Sequence, residues 1–238
     1  MSIFEAAVAW LLDAANWSGP AAIPARLLEH AALSGMALLV AMAMAIPAGI
    51  WIGHTGRGLA LGASVANVGR ALPSLAVIGI VLPITAAIDP QAGFKVYPTL
   101  VAMVVLAIPP ILVNTQTGLR EVDREIVEAA RAMGMRPTQV VAGIELPLAV
   151  PAIVAGLRSA GVQVVATATL GAIFGGGGLG RYLVEGIAQR DDGMVFGGVV
   201  LVAVLALAVE RAFVLAEWAL RPSGLRASAV SGAASRAS

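Results

Sequence analysis

The sequence predicts an all-α, polytopic integral membrane protein, a helical bundle with about five transmembrane spans. Of its 238 residues, 59% are hydrophobic and 12% are charged, and the mean hydropathy is +0.90. An ordinary soluble domain of this composition would aggregate. The net charge is only +1, and the 15 basic residues are scattered along the chain. This pattern predicts no nucleic-acid partner. The absence of cysteine excludes disulfides and thiolate metal sites.

Five stretches reach the roughly 20 apolar residues that a helix needs to cross a bilayer. The predicted spans are 31–53, 59–88, 97–118, 147–172 and 194–215. The second is too long for one straight helix, and its Leu72-Pro73-Ser74 break predicts a kink, or a short sixth segment. We divide the chain into an N-terminal extracytoplasmic or interfacial segment (1–26), a transmembrane domain (27–220) and a disordered cytoplasmic tail (221–238).

The distribution of basic residues predicts which side of the membrane each loop occupies. Five spans put the termini on opposite sides, and loops rich in Lys and Arg stay in the cytoplasm. With the N-terminus outside, four basic residues lie outside: Arg26, Lys95, Arg181 and Arg190. Eight then lie inside: Arg57, Arg120, Arg124, Arg131, Arg136, Arg221, Arg226 and Arg236.

A polar segment, residues 121–145, lies in the cytoplasm between the third and fourth spans. Asp123 can cap a helix that begins at Arg124 and has an apolar face made by Ile126, Val127, Ala130 and Met133. Gly134 is placed to end that helix, and Pro137 to begin a second one. Leu146-Pro147 then returns the chain to the membrane. Physical chemistry leaves two readings open, a hairpin lying on the bilayer and a helix offered to a soluble partner.

The spacing of residues in this segment resembles the EAA loop of ABC importer permeases. Glu128-Ala129-Ala130 is followed after three residues by Gly134, and after nine more by Ile144-Glu145-Leu146-Pro147. The resemblance implies a type I ABC importer permease fold whose coupling helices dock onto nucleotide-binding subunits. Those subunits would bind ATP and Mg²⁺, and this chain would need no cofactor. The implied coupling residues are Glu128, Ala129, Ala130, Gly134, Met135, Ile144, Leu146 and Pro147.

A second resemblance extends over about residues 60–200. The segments ALPSLAVIGIVLPI (71–84), NTQTGLREVD (114–123), GIELPLAVPAIVAGLRSAGV (143–162) and ATATLGAIFGGGGLGRYLVEGI (166–187) are similar to permeases of osmoprotectant importers. This resemblance implies a solute such as glycine betaine, choline, carnitine or proline, with methionine or sulfonate importers as the alternative. It also implies a second permease subunit, an extracytoplasmic binding protein and a location in the inner or plasma membrane.

Polar residues within the spans are candidates for the solute path. Ser159, Gln163 and Thr167 recur every four residues, and Asn67, Arg70 and Ser74 every three or four. Such stripes either bond neighbouring helices together or line a path. Arg158, which lies deep in the fourth span, is either structural or part of the path. Two further candidates, Asn114 and Thr117, follow the Pro109-Pro110 pair.

The glycine-rich stretch FGGGGLGR (174–181) is predicted to be a flexible outer turn or re-entrant segment. No Lys-Ser/Thr pair follows it, so it does not match a nucleotide-binding P-loop. Gly175, Gly176, Gly177 and Gly178 are candidates for an outer gate or for a surface that docks a binding protein.

The sequence offers no set of residues for catalysis. His30 and His54 fall at opposite ends of the first span, so no metal site is expected, and no paired carboxylates or nucleophile–base set lies within the membrane. We therefore expect a protein that is not an enzyme. An ion-coupled secondary transporter is the rival from another class, but it predicts acidic groups at mid-membrane. A membrane scaffold is the third reading.

Overall fold

The computed structural model describes residues 2–220, apart from the side chains of Leu61, Ala66 and Arg70. The predicted tail, 221–238, lies outside the described residues. Every regular element within 2–220 is helical, as the sequence predicts. The α-helices are α1 (Ile3–Leu12), α2 (Ile23–Thr55), α3 (Leu59–Ala71), α4 (Ser74–Ile88), α5 (Ala92–Lys95), α6 (Tyr97–Arg120), α7 (Arg124–Ala132), α8 (Pro137–Val140), α9 (Leu146–Gly171), α10 (Gly180–Gln189) and α11 (Asp192–Leu220).

Four helical stretches of the described chain are long and apolar enough to cross a membrane, and a bent pair makes a fifth. The four are α2, α6, the stretch Pro137–Phe174 and α11. They agree with the predicted spans but extend past them. The end of α2, for example, is set by Gly56, whose φ is +69° and whose N–H donates to the carbonyl of Ile52.

The fifth span is broken, which confirms the predicted kink. Gly62–Gly69 and Ser74–Ile88 meet at an angle of 98°. Pro73 lies at the break and has no N–H, so it cannot donate to the carbonyl of Gly69 as the next residue of a continuous helix would. α3 therefore ends and α4 begins inside the bundle.

The core is formed by α2, α6 and α9, which approach closely through small residues. Ala37, Ala41 and Ala45 of α2 are buried in this core. A Cβ added to Gly49 would lie 2.7 Å from the Cβ of Thr115, and one added to Gly156 would lie 2.7 Å from the Cβ of Asn114. Membrane helices associate through such close contacts, because lipid provides no hydrophobic force to hold them together.

The helix that begins at Pro137 runs on into the fourth span without a break. The sequence predicts a second helix that begins at Pro137, and the structure starts a helix there. The sequence did not show that this helix continues through Leu146-Pro147. Val141–Glu145 forms a π-helical turn in which the N–H of Leu146 donates to the carbonyl of Val141. The wider turn accommodates Pro147, whose ring would clash with the carbonyl four residues earlier in a regular helix. The result is one helical stretch, Pro137–Phe174.

We predict that Gly156→Ala destabilises the bundle by about 1–3 kcal/mol, because the added methyl group would press on the carbonyl of Pro110 and on Asn114. The measurement is thermal unfolding of the purified protein in detergent. Gly35→Ala is the matched control on α2, since nothing lies within 4 Å of its added Cβ. It should be neutral or stabilising by roughly 0.5–1 kcal/mol. Equal midpoints for Gly156→Ala and the unsubstituted protein would contradict the packing argument.

Candidate functional site

The segment between α6 and α9 is held in shape by backbone caps at both ends of α7, as the sequence predicts. The Asp123 carboxylate accepts a hydrogen bond from the N–H of Glu125 at 2.9 Å. At the other end Gly134 has a φ of +86°, and its N–H donates to the carbonyl of Arg131 at 2.9 Å. The N–H of Met135 donates to the carbonyl of Ala130 at 3.2 Å, which completes a Schellman motif. The turn after α7 is therefore rigidly defined.

The apolar residues of α7 form one arc, as the sequence predicts, and only one edge of this arc is covered by the rest of the protein. Ala130 is buried and Val127 is half-buried against the rest of the protein. Ile126 and Met133 point away from it, with exposed fractions of 45% and 76%. The apolar arc of this short helix is wide enough for one edge to pack on the bundle while the other remains uncovered.

Some of the remaining EAA-like residues are exposed and others are half-buried. Glu128, Ala129 and Gly134 are exposed, and Met135 is half-buried. Ile144, Leu146 and Pro147 are half-buried in the helix that leads into the fourth span. α7 and this helix thus form one surface feature at one end of the bundle, which we call the α7 end.

A polar contact that the sequence reasoning missed joins this segment to the first span. The carboxylate of Glu145, which is 5% exposed, lies 2.7 Å from Nδ1 of His54 in the last turn of α2. A cavity of about 260 Å³ adjoins the pair, and its polar lining includes Arg120, Arg124, Arg131 and Glu128. The available signal was a glutamate between two apolar residues at the start of a span, where an acid needs a partner.

Three of the candidate path residues line one open cavity between α9, α6 and the break that separates α3 from α4. Its volume is about 400 Å³, and its described lining is Gly69, Leu72, Ser74, Leu106, Gln163, Ala166, Thr167 and Leu170. Gly69 and Leu72 belong to the end of α3, and Ser74 is the first residue of α4. The break in the second span therefore opens onto this cavity opposite α9. We call it the central cavity.

The other candidate path residues do not line the central cavity. The amide of Asn114 donates to the carbonyl of Pro110 at 2.8 Å and packs beside Gly156, as a structural residue would. Thr117 and Ser159 are exposed and Arg158 is half-buried. Asn67 is exposed, and the side chain of Arg70 is outside the description. A role for these residues in the path stays a prediction.

Thr167 is the most deeply buried polar group of the central cavity. Its residue is 5% exposed, and its hydroxyl has no hydrogen-bond partner among the residues that the structure describes. The hydroxyls of Thr115 and Thr169, by contrast, donate to carbonyls four residues earlier in their own helices.

The glycine-rich turn, residues 175–178, is packed against α2, although the sequence predicted a flexible turn. The N–H of Gly178 donates to the carboxylate of Glu29 at 2.9 Å, and the N–H of Leu179 donates to Nδ1 of His30 at 3.2 Å. Nε2 of His30 therefore carries the proton and donates to the carbonyl of Val165 in α9 at 3.0 Å. Gly178 has a φ of +81° and lies against His30, which explains the need for glycine.

Contacts of Tyr182 stabilise the same end of the bundle. α10, which the sequence analysis did not predict, carries Tyr182, whose hydroxyl donates to the carbonyl of Ala21 at 2.7 Å. Burial raises the pKa of Tyr182, so the hydroxyl remains a donor over the physiological range. Its ring meets that of Trp10 edge to face at 5.0 Å, which joins α1 to α10. Among the described residues no group of His, Asp and Glu could hold a metal ion.

The fold and these sites define a class: a multi-pass helical membrane protein with a capped surface helix at one end and a cavity at a broken span. The comparison with protein families is specific. Residues 45–221 match the model of the binding-protein-dependent transport system inner membrane component. The chain belongs to this family, and it is a membrane component of a transport system.

The curated relatives cover most of the chain. The choline transport system permease protein OpuBB of Bacillus subtilis (strain 168) is 33% identical over 198 residues, which is 83% of this chain and 88% of that protein. The carnitine transport permease protein OpuCB of Listeria monocytogenes has the same identity and coverage. The osmoprotectant import permease protein OsmW of Salmonella typhimurium (strain LT2) is 31% identical and covers 83% of this chain and 91% of that protein.

Solved structures share the fold. A chain from inward-facing conformations of the MetNI methionine ABC transporter aligns with a TM-score of 0.73 at 22% identity, covering 82% of this chain and 94% of that one. A chain of an amino acid ABC transporter crystallised with histidines aligns with a TM-score of 0.64 at 17% identity, covering 82% and 92%. The predicted type I ABC importer permease architecture is confirmed.

We predict that Glu145→Ala destabilises the protein by roughly 2–4 kcal/mol, because it leaves His54 without its partner in a largely buried setting. The measurement is the unfolding midpoint in detergent. Glu125→Ala is the control, since Glu125 is exposed on α7, and its effect should be within about 0.5 kcal/mol. In a double-mutant cycle with His54→Ala, a coupling energy near zero would show that Glu145 and His54 do not stabilise each other, which contradicts this prediction.

Proposed function

We propose that this chain is the permease subunit of an ATP-driven importer and forms the path for a small osmoprotectant such as glycine betaine, choline, carnitine or proline. The solute would be delivered by a separate binding protein outside the cell. The family membership supports this solute class, as do the choline, carnitine and osmoprotectant transport of the relatives OpuBB, OpuCB and OsmW. ATP hydrolysis takes place on partner subunits, and ATP and Mg²⁺ bind there rather than to this chain.

The single observation that carries the proposal is the uncovered face of α7. Ile126, Ala129 and Met133 lie three and four residues apart, so they share one face of the helix, and all three are exposed. The small side chain of Ala129 would let a partner approach the backbone closely. A capped, partly apolar helix of this kind fits the groove of a soluble partner. The nucleotide-binding subunit is the partner that we assign to it.

The proposed assembly contains two permease subunits, two nucleotide-binding subunits and the binding protein. The second permease is either another copy of this chain or a homologue. The α7 end faces the cytoplasm and the N-terminus lies outside, as the basic residues predict. The glycine-rich turn and α10 then face outward, where they would meet the binding protein. The hydrogen bonds from this turn to Glu29 and His30 support this role, because they fix the surface that the turn presents.

The proposed path passes through the central cavity, where Ser74, Gln163 and Thr167 provide polar groups. ATP binding would close the nucleotide-binding subunits and move α7. Because the stretch Pro137–Phe174 is one continuous helix, the displacement would be carried as a rigid-body movement from α7 to the central cavity and on to the glycine-rich turn. The bundle would then change from inward-facing to outward-facing.

We predict that Gly134→Pro abolishes ATP-dependent uptake. Proline holds φ near −65°, whereas Gly134 has a φ of +86° and donates its N–H to Arg131. Gly134→Asn is the matched control, because asparagine tolerates left-handed backbone, and it should retain most of the uptake. The measurement is uptake of radiolabelled glycine betaine, choline, carnitine and proline by cells that express the complete system.

The result distinguishes two failures. Uptake by the Gly134→Pro variant equal to that of the unsubstituted protein would contradict the coupling role of the segment. If none of the four solutes enters although the complex assembles and hydrolyses ATP, the osmoprotectant assignment is wrong.

A further inference from the structure

The bond between His54 and Glu145 joins α2 to residues 121–145, which we call the coupling segment. Nδ1 of His54 donates to the carboxylate of Glu145 at 2.7 Å, because a carboxylate only accepts hydrogen bonds. The two side chains are largely covered, with exposed fractions of 17% and 6%. Among the residues that the structure describes, no other hydrogen bond or ion pair connects α2 to the coupling segment. This bond therefore holds the end of α2 against the segment.

Glu145 lies where the coupling segment becomes a transmembrane helix. It is the last residue of the π-helical turn Val141–Glu145, and α9 begins at the next residue. Single π-helical turns inside α-helices are rare and occur frequently at functional sites. His54 lies in the last turn of α2. The bond thus connects the end of one span to the point where a movement of α7 would enter another.

α2 is bonded to the stretch Pro137–Phe174 a second time, near the opposite end of the bundle. Nε2 of His30 donates to the carbonyl of Val165 at 3.0 Å. At 1.5 Å per residue, about 36 Å of α2 and about 30 Å of the stretch lie between the two bonds. Over this length both helices contribute to the same buried core. A helix pair that is bonded at both ends resists the sliding of one helix along the other.

We propose that His54 is a positioning residue that makes α2 follow the coupling segment during transport. When the partner subunit moves α7, Glu145 moves with it, and the bond to His54 carries the end of α2 along. α2 and the stretch Pro137–Phe174 then move as one unit of two helices. This inference rests on the proposed function, which assigns α7 to the nucleotide-binding subunit, and it adds a second span to the element which that subunit moves.

A double substitution distinguishes positioning from a purely structural role. His54→Leu combined with Glu145→Leu removes both partners and leaves no unpaired charge, so the unfolding midpoint should stay near that of the unsubstituted protein. The measurement is solute uptake per ATP hydrolysed by the complete system in lipid vesicles. The solute is whichever of glycine betaine, choline, carnitine and proline the unsubstituted system takes up fastest. Uptake per ATP should fall at least about fivefold, the lower end of typical coupling between two sites. Unchanged uptake per ATP would overturn the proposal.

Single variants of His54 test the role of the donor. His54→Asn places an amide NH₂ where Nδ1 lies, since both nitrogens are attached to Cγ, and it should retain most of the uptake per ATP. His54→Leu has the same branching without a donor and should lose it. Thr55→Val is the matched control, because the hydroxyl of Thr55 bonds to Trp51 and Arg57 rather than to the coupling segment. Equal uptake per ATP by the Asn and Leu variants would overturn the assignment.

A covalent link at the same position provides a test that does not depend on the stability of the single variants. The chain has no cysteine of its own, so His54→Cys and Glu145→Cys can be joined specifically by a short bis-methanethiosulfonate reagent. Uptake per ATP should be low in the unlinked double variant, return when the link forms and fall again on reduction. Loss of uptake on linking would show that α2 and the coupling segment have to separate, which would overturn the proposal.

Uptake by the unsubstituted system separates this inference from the proposed function. If that system imports an osmoprotectant and the variant with leucine at both positions matches its uptake per ATP, only the inference fails. If the assembled, ATP-hydrolysing system imports none of the four solutes, the proposed function fails.

Discussion

The structure depends on the continuity of one helical stretch, Pro137–Phe174. Thirty-eight residues run without a break from the α7 end to the glycine-rich turn, although Pro147 and Pro151 both lie within them. The π-helical turn at Val141–Glu145 makes this continuity compatible with the first of those prolines. Along its length the stretch makes the bond from Glu145 to His54, the close glycine contact with α6, the lining of the central cavity and the bond from Val165 to His30. Most of the functional geometry is therefore attached to one element.

The span formed by α3 and α4 is broken, in contrast to the continuous stretch Pro137–Phe174. In lipid, backbone groups have to be satisfied within a helix, and irregular backbone is tolerated only where it is covered by protein or lines a cavity. The break between α3 and α4 meets this condition, since it lies beside α6 and opens onto the central cavity. A continuous helix and a broken helix thus face each other across the cavity. One is suited to carry a movement, and the other leaves backbone groups at its break unpaired beside the cavity.

Local sequence signals predicted the elements well. The caps at Asp123 and Gly134, the kink at Pro73 and the positions of the spans each depend on neighbouring residues, so one sequence was enough to infer them. The contacts that depend on tertiary structure were missed. Glu145 meets His54 across 91 positions, and Gly178 meets Glu29 across 149. The sequence also did not show which edge of the apolar arc of α7 packs on the bundle, because that depends on tertiary contacts. Of the path candidates, only Ser74, Gln163 and Thr167 converge on the central cavity, since the stripe on α9 passes from the exposed Ser159 to the buried Thr167.

The central claim is that the stretch Pro137–Phe174 moves as a rigid body that couples the α7 end to the opposite end. The most direct test is electron–electron distance measurement between spin labels at Thr138→Cys and Ile173→Cys in the complete transporter. The chain has no cysteine of its own, so the labels are specific, and both positions are exposed. We predict a distance of roughly 50 Å, from 1.5 Å per residue, that stays the same with and without ATP. A second pair across the central cavity, Ala76→Cys and Ala166→Cys, should change its distance. If the first distance changes as much as the second, the helix bends during the cycle and the account is contradicted.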